Sequence, residues 1–241
     1  GVKFFLGERD WLTVPNKNII NLKNGGNITY SHLINCAGLQ ADHIAHKFNV
    51  GLQYQLLPFK GIYWEIRKES PIKPKANLYP VPDLNIPFLG IHFTPSADLE
   101  PVISIGPTAT PALGRENYYG LKGFEIEMAF QNIFLLTGQY LKNQGHFRKY
   151  VHEQAFLTFP SLFLKSAQEL IPQIQFRDIK KSNKVGIRSQ VFNLNNKQLE
   201  DDFICLSGKD STHILNAISP AFTASFALAD LILENSNINL K

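Results

Sequence analysis

Between Leu78 and Thr94 the chain reads LYPVPDLNIPFLGIHFT, a turn punctuated by proline and glycine that runs into an apolar strand. Proline fixes φ and donates no backbone hydrogen bond, so the run from Pro71 to Pro87 can be neither helix nor central strand. Ahead of it, short apolar segments read as strands at Val2 to Leu6, Trp11 to Val14, Ile19 to Leu22 and Asn27 to Ile34. The last two flank Asn24-Gly25-Gly26, a hairpin signal. A helix is expected from Leu39 to Phe48, then strands from Leu52 to Leu57 and Gly61 to Ile66. Beyond the prolines, strands are expected at Phe88 to Thr94 and Val102 to Gly106. Helical spacing recurs over Leu121 to Leu141 and Pro160 to Ile171. Strands return at Val185 to Val191, Asp202 to Leu206 and Thr212 to Leu215. A final helix is expected from Ser219, which can cap, through Pro220 at the first helical position to Leu233. This order describes a domain that is entered, left and re-entered.

Composition narrows the class. With 44% apolar and 18% charged residues in 241, the chain can bury a real core and reads as globular rather than disordered. The net charge of +4 comes from scattered cations, densest at Lys180-Lys181, which make no nucleic-acid stripe. Cys36 and Cys205 sit in apolar runs and read as buried thiols of a reducing compartment, not as a disulfide framework or zinc site. No apolar run approaches the roughly 20 residues of a membrane span. There is no GxGxxG after a strand, no GxxxxGK[ST], no GxSxG and no CxxC. Gly208-Lys209 lacks the residues that would make it a phosphate loop.

Four groups of residues carry chemistry. Asn35-Cys36-Ala37-Gly38 ends a strand in small residues, which lets backbone approach a flat or phosphorylated ligand; an ordinary strand-to-helix turn uses the same residues. NAISPAFTAS, from Asn216 to Ser225, keeps a helix start open with Ala217, Ala221 and Ala224, and its free N–H groups favour negative charge; the plainer reading is a tightly packed terminal helix. His92, among apolar neighbours, is the best candidate of the seven histidines for a base titrating near neutrality, against a structural role. Arg188 in VGIRSQ is a cation within an apolar strand, suited to gripping a carboxylate, followed by Arg115 in LGREN and Lys60 in PFKG. For both of these a surface salt bridge is equally expected. His43 and His46 stand one helical turn apart with no carboxylate or cysteine grouped beside them, so no metal is expected.

Taken in order, PFKG (Pro58 to Gly61), GIHFT, GPTA (Gly106 to Ala109), VGIRSQ and NAISPAFTAS resemble the D-amino-acid-oxidase-like FAD-dependent oxidoreductases, and within them the L-2-hydroxyglutarate oxidase/dehydrogenase branch. The resemblance covers nearly the whole chain, strongest over residues 31–119 and 185–229 and weak over 121–180. It implies an α+β or α/β fold in which a glutathione-reductase-like FAD-binding domain, here truncated, is interrupted by a substrate domain with a mixed, largely antiparallel sheet and helices. Residues 1–50 and 181–241 then belong to the FAD domain and 51–180 to the substrate domain. It implies FAD, with contacts at Cys36, Ala37, Gly38, Gly61, Ser219, Pro220, Ala221 and Thr223. It further implies His92 as catalytic base and Arg188, Arg115 and Lys60 as substrate binders. The implied substrate is a 2-hydroxy mono- or dicarboxylate, L-2-hydroxyglutarate first, with oxygen or a quinone as electron acceptor and no nucleic acid or metal as partner. The implied location is cytoplasmic, or peripheral at a membrane if a quinone is used.

The chain departs from the family pattern in several places. PFKGIYW stands where the family has PFRGEYY, so Lys60 replaces an arginine and Ile62 an acid. Thr108 stands for Asn in GPNA, and Phe222 brings bulk into NAPSPAATAS. The family's dinucleotide fingerprint would lie before Gly1 or not be encoded, from which the expectation is weak or no FAD binding by these 241 residues alone. An amine-oxidising relative of the glycine- or sarcosine-oxidase kind, and a non-catalytic remnant or binding module, remain open alternatives.

Overall fold

The computed structural model describes residues 1–8, 11–81, 90–98, 100–143, 147–218 and 221–236. In chain order the described strands and α-helices are β1 (Leu12–Val14), β2 (Ile19–Asn21), β3 (Asn27–Thr29), β4 (Leu33–Asn35), α1 (Ala41–Lys47), β5 (Tyr54–Ile66), β6 (His92–Pro95), β7 (Ile103–Gly106) and β8 (Thr110–Pro111). There follow α2 (Ile126–Lys142), α3 (Phe147–Phe156), α4 (Pro160–Leu170), β9 (Ile179–Asn193), β10 (Gln198–Leu199), β11 (Ile204–Ser207), β12 (Ser211–Asn216) and α5 (Ser225–Ser236). Two compact units emerge, one of Gly1–Leu56 with Gln190–Lys241, the other of Leu57–Ser189.

In the first unit, β1, β2 and β3 form an antiparallel meander. β4 leaves it to pair in parallel with β12, which also pairs antiparallel with β11. The single strand expected from Asn27 to Ile34 is therefore two strands in two sheets. They separate where the Tyr30 N–H donates to the Asn18 carbonyl, before Leu33 joins β12. Ala41 and Ala45 of α1 pack with Val191, Ile204 and Leu215. Small residues at these positions let the helix approach closely, and buried Asp42 accepts the Leu56 N–H at 3.0 Å. Val2 to Leu6 form no strand: Val2, Phe4, Phe5 and Leu6 are exposed and lack a ladder partner. Cys36 is exposed, not the buried thiol expected, because the chain turns at the end of β4.

In the second unit the sheet order runs β9-β5-β7-β6, with β8 also on β5. Alternate side chains of a strand point to opposite faces. Trp64, Ile66, Phe93, Ile103 and Ile105 share one face and pack on Phe163 and Ala167 of α4, closed by Ile171, Ile174 and Ile179. Trp64 stacks on Phe163 with centroids 5.4 Å apart. α4 begins at Pro160, where a missing N–H costs nothing. The strands expected at Leu52 to Leu57 and Gly61 to Ile66 are one continuous strand of 13 residues. α3 was not anticipated; its only buried residue is Tyr150, so it carries little apolar periodicity to read.

His213 lies wholly buried on β12 and depends on being neutral. Asn35 Nδ2 donates to its Nδ1 at 3.0 Å, so the ring proton sits on Nε2, which donates to Ser211 Oγ at 2.9 Å. Phe48 covers the ring at 5.0 Å. Burial pushes its pKa from 6.5 down to about 4, with a smaller push from His32. A folded pKa below the unfolded one means that this stabilisation is complete above about pH 6.5 and is lost as pH falls toward 4, by roughly 3 kcal/mol in all. In urea melts from pH 7 to pH 4, His213→Gln, which takes up no proton, should show a shallower loss of stability than the parent; equal slopes would contradict this role.

Candidate functional site

The face of the second unit's sheet away from α4 is polar, and alternation puts it there. Tyr63 and Glu65 of β5 stand between Trp64 and Ile66, and His92 of β6 stands between Ile91 and Phe93. On β9, Lys180 and Ser182 both reach Glu65, at 2.9 and 3.0 Å, while Lys184 Nζ rests 4.6 Å from the centroid of the Tyr63 ring. Two residues further along the same face is Gly186, and two beyond it Arg188.

Gly106 opens this face. It lies opposite His92 in the β6–β7 ladder, and Trp64 pairs with its neighbour Ile105. A Cβ on Gly106 would come within 3.1 Å of Tyr63 Cδ1 and 3.0 Å of the Ile62 carbonyl, and its φ of +138° suits glycine. A side chain there would intrude beside Tyr63.

A cavity of about 150 Å³ is lined by Gly61, Tyr63, Pro107, Thr108, Gly186 and Arg188 among others. Pockets for drug-sized ligands run to about 300–1,000 Å³, so this hollow has room only for something smaller. Gly61 permits packing: a Cβ there would meet Pro107 Cβ at 2.7 Å. The buried Thr108 hydroxyl accepts the Ile62 N–H at 3.2 Å.

His92 keeps one ring nitrogen as an acceptor. Its Nδ1 is 3.0 Å from the Gly90 carbonyl, which can only accept, so the neutral ring carries its proton on Nδ1 and a lone pair on Nε2. Burial lowers its pKa below the usual histidine value, and the Arg188 and Lys184 cations act in the same direction against the Gly90 hydrogen bond. Tyr79 packs on the ring at 4.6 Å. Burial raises the Tyr63 and Tyr150 hydroxyls, and Arg188 opposes both shifts. Arg188 is thus electrostatically coupled to His92, Tyr63 and Tyr150.

The other expected residues stand elsewhere. Lys60, on the opposite side of the β5 pleat from Tyr63, donates to the Asn117 carbonyl at 3.1 Å and to its side-chain oxygen at 3.2 Å, anchoring the loop after β8. Arg115 is buried in that loop, and its backbone N–H donates to Glu125 at 2.8 Å. His46 Nε2 faces the Gly51 and Tyr54 carbonyls at 3.1 and 3.0 Å, an N–H shared within the fold. Among the described residues no group of histidine, cysteine and acidic side chains is placed to hold a metal. Nor among them is any helix long and apolar enough to cross a membrane. Tyr63, Tyr150 and Lys184 escaped the sequence reading. The spacing Lys184-Gly186-Arg188 was a readable signal, because period two places all three on one strand face.

In the first unit β4 and β12 run parallel, and their carboxyl ends lead into Ala37-Gly38 and Ala217. Loops beyond the ends of parallel strands are where α/β sheets receive nucleotides. Cys36 and Ala37 line a cavity of about 360 Å³ with Trp11, Ile20 and Tyr30, and a Cβ on Gly38 would meet nothing within 4 Å. The Ala37 N–H is already given to Asn35 Oδ1 at 3.1 Å. Ser219 and Pro220 lie outside the described residues. Ala221 and Thr223 belong to a turn ahead of α5, which begins at Ser225 rather than at the expected Ser219.

The fold is that of flavin-dependent oxidoreductases. A solved structure of dithionite-reduced L-α-glycerophosphate oxidase from Mycoplasma pneumoniae with FAD bound superimposes with a TM-score of 0.55 at 15% identity, covering 92% of this chain and 47% of that one. The model of the DAO family, FAD dependent oxidoreductase, matches residues 1–234, and the chain belongs to that family. Among curated relatives, mitochondrial L-2-hydroxyglutarate dehydrogenase of Mus musculus is 33% identical over 92% of this chain and 48% of its own length. L-2-hydroxyglutarate dehydrogenase of Indibacter alkaliphilus is 32% identical over 97% of this chain and 58% of its own. The chain therefore spans about half the length of these relatives.

Electrostatics give the first site prediction. In NMR titrations His92 should show a midpoint below 6.5, and Arg188→Met should move it upward, since removing a nearby cation relieves the penalty on the imidazolium. A midpoint insensitive to that substitution would separate the two residues.

Proposed function

We propose that this chain supplies the substrate face, and part of the FAD-binding unit, of an enzyme that oxidises a 2-hydroxy acid, with L-2-hydroxyglutarate the foremost substrate. The observation that carries the reading is His92, with Nε2 left as acceptor, on the same sheet face as Arg188, which lines a cavity of small-molecule size. The curated relatives named for L-2-hydroxyglutarate support the choice of substrate.

The residues at the end of β4, Cys36, Ala37 and Gly38, fit a role in holding FAD, because they line open space at the carboxyl end of a parallel pair. Bound FAD would supply the hydride acceptor. What falls to the chain's own residues is binding, orientation and proton transfer. The Arg188 guanidinium holds the C1 carboxylate, as arginine's planar fork suits a carboxylate. His92 Nε2 accepts the hydroxyl proton as the C2–H bond gives up its electron pair, leaving a C2 carbonyl and an imidazolium. A ring held below the usual histidine pKa is neutral at pH 7 and ready to take that proton. The apolar underside of the sheet keeps these groups on a rigid support.

Steady-state kinetics on the flavin-loaded protein test this. Arg188→Ala should raise KM for L-2-hydroxyglutarate about 10- to 100-fold, the loss expected for a charged hydrogen-bond partner. His92→Ala should lower kcat about 100-fold or more with flavin content unchanged. Unchanged KM in the first, or parental turnover in the second, would remove the corresponding role.

A further inference from the structure

We propose that Lys184, Gly186 and Arg188 form a gauge for dicarboxylates: two cations on one face of β9, with an open gap between them in which a short diacid lies. The proposal rests on the reading of this face as a substrate site and adds the residue that selects the second carboxylate.

Contacts establish the geometry. Lys180 and Ser182 touch Glu65, Lys184 touches Tyr63, and Gly186 and Arg188 line the same cavity as Tyr63, so the even-numbered residues of β9 share the Tyr63 face. Lys184 and Arg188, four residues apart, have Cα atoms separated by about 13 Å at 3.3 Å per residue. Both side chains are long enough to lean inward. The terminal carbons of a five-carbon diacid stand about 5 Å apart, four bonds of about 1.5 Å in a zigzag. Between the two cations only Gly186 intervenes, and a Cβ there would meet nothing within 4 Å. The gap is therefore room for a ligand and not a packing requirement, in contrast with Gly61, where a Cβ would collide, and Gly106, where it would press on β5 at a φ that suits glycine.

Charge supports the same conclusion. The acid on this face, Glu65, is already engaged by Lys180 at 2.9 Å and by Ser182. Among the described residues no carboxylate pairs with Lys184, whose ammonium instead rests over the Tyr63 ring at the cavity wall. That ring contact fixes where the ammonium sits while leaving its N–H donors available. Lys184 and Arg188 both act electrostatically on His92, so a diacid bridging them would bring its hydroxyl end within the field of the base. A monocarboxylate would engage Arg188 and leave Lys184 unused.

The test is equilibrium binding of 2-oxoglutarate and 2-oxobutyrate to the flavin-loaded protein, read by calorimetry in the parent, Lys184→Met and Gly186→Val. Lys184→Met keeps an apolar stem on Tyr63. It should weaken 2-oxoglutarate about tenfold more than 2-oxobutyrate, the share of a charged hydrogen bond that survives solvent screening. Gly186→Val should weaken both acids with Tm unchanged or higher, since valine favours a strand and the space beside Gly186 is empty. An unaltered ratio between the two acids in Lys184→Met, or full affinity in Gly186→Val, overturns the gauge while Arg188→Ala still reports on the underlying site. A parent protein that binds neither acid overturns both.

Discussion

The pleat of one antiparallel sheet governs the chemistry available to this protein. Trp64, Ile66, Phe93, Ile103 and Ile105 must be buried against α4, and successive residues of a strand cannot face the same way. Burying that set commits Tyr63, Glu65, His92, Lys184 and Arg188 to the other face. Shifting β9 by one residue would turn its cations toward the core, and shifting β5 would turn Trp64 into water. The register is therefore held by the largest apolar term in the second unit. Phe163 is wholly buried beneath it, and truncating such a side chain typically costs about 3–5 kcal/mol. Polar groups on the open face inherit their positions from that core.

Glycine then decides what the open face can do. Gly106 sits where any side chain would strike Tyr63 or the β5 backbone, so His92 and Tyr63 flank a bare stretch of ladder. Gly186 has no such neighbour, and its missing side chain leaves vacant surface. These two glycines look alike in a sequence and differ in cause: one is required by packing, the other leaves space for something else. Lys184 and Arg188 on either side of the vacant one, with the Tyr63 ring under the lysine, make that surface attractive to an anion.

How much of this could be read from the chain follows from which forces leave a local mark. Strong periodicity made α4 and the body of α2 legible, and a charged residue in an apolar run drew attention to Arg188. The interrupted pattern at Pro58 and Gly61 split β5 into two expected strands, because propensity does not reveal that β9 runs along one edge while β7 and β8 take successive parts of the other. α3 buries only Tyr150 and so offers no stripe to detect. Lys60 and Arg115 were chosen by residue type. The pleat and the loop after β8 turn Lys60 to Asn117, and Arg115 is buried away from the cavity lining, contacts that only tertiary structure sets. In the first unit α5 starts at Ser225, with Ala221 to Ala224 in a turn ahead of it that no local signal marked. Val2 to Leu6 had strand-like composition but no ladder to join.

The most direct examination of the central claim is a crystal structure of the flavin-loaded protein with 2-oxoglutarate bound. The account predicts one carboxylate on the Arg188 guanidinium, the other at the Lys184 ammonium, the carbon chain crossing over Gly186, and the C2 oxygen directed toward His92 Nε2. Ligand density on the α4 side of the sheet, or at a site that leaves Arg188 and His92 untouched, would contradict it.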